Sequence, residues 1–77
     1  MAPAITPISY QRFERFLKSV GCEFVHQRGS HRKWTRSDLK RAVIVPAEKE
    51  LPPFVVMNNL RVLGISREQY EEILRDC

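Results

Sequence analysis

Apolar residues recur along this chain with two different periods. After Ser9, Phe13, Phe16, Leu17 and Val20 fall at i, i+3, i+4 and i+7, while Arg12, Glu14, Arg15 and Lys18 occupy the other side. That spacing predicts a helix near residues 10–20 with one buried face, capped by Ser9 and stopped by Gly21. Residues 22–28 then form a short run with Phe24 and Val25, bounded by turn residues, and predict a strand whose partner is 31–36. A third strand is expected over 41–45, ended by Pro46; Ala42 and Ile44 alternate with Val43 and Val45, so both of its faces are apolar. It is either buried on both sides or exposes a patch for a partner.

The helical period returns after Pro52-Pro53, which suit a helix's first turn. Val56, Leu60 and Leu63 form the stripe, Met57 flanks it, Val55 and Val62 lie to a second side, and Gly64 ends it. Ser66 and Gln69 form a capping box for a short appended helix over 66–75, with Tyr70, Ile73 and Leu74 inside and Glu68, Glu71 and Glu72 outside. Residues 1–8, with two prolines and no stripe, read as a flexible leader. The expected fold is one α+β domain over 1–77, α-β-β-β-α with a three-stranded antiparallel sheet and a short extra C-terminal helix. This order resembles the double-stranded-RNA-binding-like fold.

Gly29-Ser30 sets the register of the first two strands. A two-residue type II′ turn with glycine first pairs Arg28 with His31, His26 with Lys33, Val25 with Trp34 and Phe24 with Thr35. His26, Arg28, His31 and Lys33 then share one face.

Charge sharpens this picture. The chain carries +4 overall, and residues 26–41 alone hold six Lys/Arg against Asp38, a local +5. A cationic strip of this kind fits either a solvated hairpin face or a polyanion such as nucleic acid. No apolar run approaches the roughly 18 residues that span a bilayer, and no signal-peptide pattern opens the chain, so a soluble cytoplasmic protein without membrane contact is expected. Cys22 and Cys77 provide neither a disulfide framework nor metal spacing; a buried Cys22 and a free terminal thiol are expected.

The candidate chemistry is narrow. The carboxylates cluster at Glu48/Glu50 and Glu68/Glu71/Glu72, as linker and helix-surface charges, and no phosphate-cradling glycine loop is present. Ser30 and His31 do not make a dyad, because adjacent strand residues point to opposite faces. His31, at the turn exit among Arg28, Arg32 and Lys33, either contacts phosphate or accepts a proton near neutral pH. With RNA bound, the reaction open to such a base is removal of the 2′-hydroxyl proton so that its oxygen attacks the adjacent phosphorus; no metal or other cofactor is required. His26 is either an acid for the leaving oxygen or a phosphate contact. Trp34 either stacks on an unpaired base or packs across the hairpin on Val25. DNA binding by the Asn58, Asn59 and Arg61 side of the second long helix is a further alternative.

The run from Gly21 to His31, with Gly29-Ser30-His31 at its end, the later Val43-Ile44-Val45-Pro46, and Leu63-Gly64-Ile65-Ser66 together resemble the HicA toxin family over about residues 10–74. The resemblance implies a small double-stranded-RNA-binding-like domain, the toxin of a type II toxin-antitoxin pair. It further implies metal-independent cleavage of mRNA and neutralisation by a HicB-like antitoxin. By resemblance His31 is the catalytic residue and Gly29 and Ser30 shape its turn; the charge of the hairpin and its place in the sequence make Arg28, Arg32, Lys33, Arg36 and His26 the expected RNA-binding side chains. A non-catalytic RNA-binding module of the same fold is the alternative. Three positions depart from the family. Pro46-Ala47-Glu48 stands where many members carry a second histidine, His26 where arginine is frequent, and Cys22 where a larger aromatic is usual.

Overall fold

A computed structural model describes residues 5–77. In chain order it contains α1 (Tyr10–Ser19), β1 (Glu23–Arg28), β2 (His31–Thr35), β3 (Val43–Pro46), α2 (Pro53–Leu63) and α3 (Arg67–Arg75). The fold is α+β, with helix, three antiparallel strands and two helices in the expected order. The sheet order is β1-β2-β3, so β2 is central and the other two strands are edges.

Each element ends for a local reason. The Ser9 hydroxyl accepts the Arg12 N–H at the start of α1, and Val20 closes that helix one residue earlier than its apolar stripe suggests. Ser66 and Gln69 complete the capping box of α3, each side chain bonding the other residue's backbone N–H.

The helices cover one face of the sheet. Phe13, Phe16 and Leu17 of α1, Trp34, Val43 and Val45 of the sheet, Val56, Leu60 and Leu63 of α2 and Tyr70 of α3 form a continuous buried core. Apolar burial of this kind is the main favourable contribution to folding. Phe16 and Tyr70 meet edge to face, with ring centroids 4.9 Å apart, which ties the appended helix to the first one.

Three expectations change. Residues 1–4 of the expected leader lie outside the described residues, while in the remainder Ile5 and Ile8 are buried and Ile8 forms a bridge with Leu51. Paired backbone groups and apolar burial hold this part of the segment against the core. The Val25–Trp34 pairing is replaced by Phe24–Trp34 and Glu23–Thr35, because the register shifts between Phe24 and His26. A bulge at this point keeps Phe24 on the same face as Trp34, their centroids 5.7 Å apart, although Phe24 and Val25 both remain exposed. Of the two outcomes open to the doubly apolar β3, exposure of one face is the one found: Val43 and Val45 are buried, while Ile44 stays 41 % exposed. Glu14, placed outward by the helical period, is buried.

Candidate functional site

The hairpin tip is built by one glycine. Gly29 has φ +60° and, among the described residues, no non-glycine residue has positive φ. A positive angle first and a negative one at Ser30 is the pattern of a type II′ turn, since type I′ needs both positive. Beyond it the expected pairs form: Arg28 with His31, Gln27 with Arg32, and His26 with Lys33.

Because pairs across antiparallel strands share a face, the hairpin separates into two sets. Trp34 is in the core, so its alternate neighbour Arg32 and the paired Gln27 lie on the helix-covered side. His31, Lys33, Arg28 and His26 lie on the open side. His31, Arg28 and His26 are exposed and Lys33 is half-buried. Lys33 is flanked on the other strand by Ile44, and His31 by Pro46. The only ion pairs among the described residues are Arg32–Glu14 and Arg36–Asp38. Arg28 and Lys33 are therefore uncommitted cations on the histidine face.

Arg32 and Arg36 are differently placed. Arg32 Nε donates to Glu14 Oε2 at 2.6 Å, Nη1 donates to Gln27 Oε1 at 2.7 Å, and its guanidinium lies 4.4 Å from the Phe24 ring centroid. The bond to Glu14 pushes the Arg32 pKa up from its already high value. Arg36 binds Asp38 through both Nε and Nη2 and donates from Nη1 to the Val20 carbonyl. The Arg36 guanidinium holds Asp38 below the usual carboxylate range. Of the five side chains grouped by charge and sequence position, Arg28, Lys33 and His26 face the same way as His31. Arg32 and Arg36 are tied into the protein.

Glu14 is the residue that the helical period does not single out. Its Oε2 also accepts the Trp34 indole N–H at 2.7 Å. The sequence signal for it lies elsewhere, in two donor side chains at Arg32 and Trp34. On one covered side of a strand, such a pair requires an acceptor from whatever packs over it. Asn59 is likewise occupied, donating to the Ile44 carbonyl at the edge of β3, which removes it from the polar surface considered for DNA binding.

The turn is fixed from both sides. Gln27 Nε2 donates to the Gly29 carbonyl at 2.8 Å, and the Ala47 N–H donates to the Ser30 carbonyl at 2.6 Å. The second contact brings the segment that follows β3 against the turn. Ala47 and Glu48, which follow β3, thus adjoin the end of the strand that carries His31.

With this geometry in view, the sequence profile described as HicA toxin of bacterial toxin-antitoxin matches residues 10–65. The chain belongs to the HicA toxin family. The match runs from the first residue of α1 to just beyond α2 and so contains the hairpin and every candidate site residue. No individual curated protein matches the chain. A HicA-family chain is a toxin of a toxin-antitoxin system and has an antitoxin as its partner in that pair. Among the described residues no helix of this toxin is long and apolar enough to cross a membrane. Nor do any three His, Cys, Asp or Glu side chains among them gather where they could hold a metal ion. Cys22 is buried and free, and burial pushes its thiol pKa up.

Proposed function

We propose that this HicA-family toxin is an endoribonuclease that cleaves mRNA with His31 as the general base. The observation that carries this reading is the placement of His31. It leaves a tightly held turn on the open face of the sheet, where Arg28 and Lys33 have no carboxylate partner among the described residues. RNA crosses that face with its phosphates on Arg28, Lys33 and His26.

His31 takes the proton of a ribose 2′-hydroxyl. The 2′-oxygen forms a bond to the adjacent phosphorus as the bond from phosphorus to the 5′-oxygen breaks. The products are a 2′,3′-cyclic phosphate and a 5′-oxygen that takes up a proton from the solvent-open face, where His26 stands diagonally across the hairpin from His31. Arg28 and Lys33 offset the negative charge that grows on the phosphoryl oxygens. The chemistry is metal-independent, since a base at His31 and the cations of this face are enough for the transfer. A HicB-like antitoxin is the partner that restrains the activity, in a cytoplasmic setting.

The test compares the wild-type chain with His31→Ala, each purified and given mRNA in the presence of EDTA. The expected outcome is cleavage by the wild type only, leaving cyclic phosphate and 5′-hydroxyl ends. Equal RNA binding with no cleavage by either protein would identify a non-catalytic RNA-binding module instead. Cleavage that EDTA abolishes would remove the metal-free mechanism.

A further inference from the structure

A chain of side-chain hydrogen bonds runs from α1 to the turn along the covered side of the hairpin. Glu14 Oε2 accepts from Arg32 Nε at 2.6 Å, Arg32 Nη1 donates to Gln27 Oε1 at 2.7 Å, and Gln27 Nε2 donates to the Gly29 carbonyl at 2.8 Å. Its base is rigid, because the same Glu14 oxygen accepts from the buried Trp34 indole. Its direction is fixed by chemistry. A guanidinium only donates, so the amide oxygen of Gln27 must face Arg32, and the amide nitrogen is left for the Gly29 carbonyl. None of these three side chains faces the proposed reaction surface, since Gln27 and Arg32 pair on the side of the sheet opposite His31.

We infer that Glu14, Arg32 and Gln27 are positioning residues, which hold the Gly29-Ser30 turn in the conformation that aims His31. This rests on the reading of His31 as the base. A two-residue turn at a solvent-exposed tip frays readily, and glycine widens the range of conformations open to it. The Gln27 amide fixes the Gly29 carbonyl and the Ala47 N–H fixes the Ser30 carbonyl, so both peptide units preceding the histidine are held. A base must lie within hydrogen-bond reach of the proton that it removes, and a displacement of about 1 Å lowers a rate by up to about a hundredfold. The cationic Arg32 thus supports the site through Gln27 and does not itself bind phosphate.

Two substitutions at the exposed Gln27 test this in the full chain. Gln27→Leu removes both of its bonds. Gln27→Glu keeps an oxygen for Arg32 but has no donor for Gly29. We expect both variants to lower kcat about tenfold, with KM, and Kd for the uncleavable 2′-deoxy form of the same RNA, within about twofold of wild type. Amide hydrogen exchange and backbone relaxation at residues 29–31 should show a looser turn in both, with unfolding midpoints unchanged. If Gln27→Glu keeps wild-type kcat and turn order, the positioning role is overturned. So it is if both variants lose RNA affinity in place of kcat, which would make Gln27 a substrate contact. If the wild type cleaves nothing, the nuclease reading fails on its own. The turn measurements then still decide whether the bond chain orders residues 29–31.

Discussion

The two faces of one hairpin have opposite characters, although their sequences interleave residue by residue. On the open face His26, Arg28, His31 and Lys33 pair with one another across the strands and make no ion pair among the described residues. On the covered face Gln27, Arg32 and Trp34 are joined through hydrogen bonds to Glu14 of α1. The alternation of a β-strand accomplishes this separation. A basic strip that looks uniform along the sequence contains cations free to meet a phosphate and a cation bound into the scaffold, one residue apart at Arg32 and Lys33. A site needs both, since reactive groups left without a held framework lose the geometry that makes them effective.

The sharpest contrast comes from removing one group from each face. On the open face, His31→Ala should reduce RNA cleavage by about a hundredfold to ten-thousandfold, the usual worth of a general base. Because the side chain is exposed, its urea-unfolding curve should overlay that of the wild type. On the covered face, Glu14→Ala leaves the buried indole N–H and the Arg32 guanidinium without their acceptor. It should destabilise the fold by about 2–3 kcal/mol, less than for a fully buried pair because Arg32 is partly solvated. The comparison breaks if His31→Ala unfolds the protein or if Glu14→Ala leaves its stability untouched.

How much of this division was legible in the sequence follows from what sets each part. The element order, the two-residue turn and the three pairs nearest to it were readable, because glycine chemistry and turn length fix the register locally. The authority of the turn ends at Val25. Phe24 and Val25 are adjacent apolar residues, and only contact with Trp34 and Arg32 decides which of them takes the covered side, so the bulge is invisible to alternation. Glu14 was misplaced for a related reason. The helical period assigns a carboxylate to solvent, and only the Trp34 and Arg32 donors waiting on the other element reverse that. Ile5, Ile8 and Leu51 lie in stretches without periodicity and become core through contacts distant in sequence. His31 was visible from its place after Gly29-Ser30, whereas the residues that hold its turn belong to a network that no local pattern encodes.

The turn that joins the two faces is the next point of attack. Adding a methyl at Gly29 meets no atom of the described residues within 4 Å, so the cost of Gly29→Ala comes from the φ of +60°. It should destabilise the protein by about 1–2 kcal/mol in urea unfolding. Cleavage should fall more than stability does, since the strain falls directly on the residues before His31. A loss of stability with unchanged kcat would show that the tip is not coupled to the reaction.

Salt dependence separates the cations with a smaller effect. If Arg28 and Lys33 each neutralise one phosphate of a single strand, replacing either by Gln should flatten the slope of log Kd against log salt by about 0.7. Arg32→Gln should lower stability without flattening that slope, because its charge is committed to Glu14. An equal change of slope for all three would mean that Arg32 exchanges its carboxylate for RNA, which would dissolve the distinction between the faces.

The covered side also contains a donor that has not been met, and it provides the mildest test at neutral pH. Trp34 and Tyr70 are both buried aromatics with a polar hydrogen. The indole reaches Glu14, whereas the Tyr70 hydroxyl has no hydrogen-bond partner among the described residues. Burial pushes the Tyr70 pKa up to about 12, against an ordinary tyrosine value near 10. Below pH 10 both folded and unfolded chains keep this proton, so the shift does not alter stability. Between about 10 and 12 the unfolded chain loses its proton while the folded one retains it, so stability falls by up to about 1.4 kcal/mol per pH unit. Tyr70→Phe should therefore be neutral or stabilising by up to about 1 kcal/mol at pH 7. It should also remove this part of the alkaline loss in urea unfolding followed from pH 9 to 12. Trp34→Phe, by contrast, should destabilise at pH 7, because it leaves Glu14 with one donor fewer and opens a cavity where the larger ring was buried. If Tyr70→Phe itself costs about 1 kcal/mol or more at pH 7, the Tyr70 hydroxyl has a partner in solution, and the core is better satisfied than its hydrogen bonds indicate.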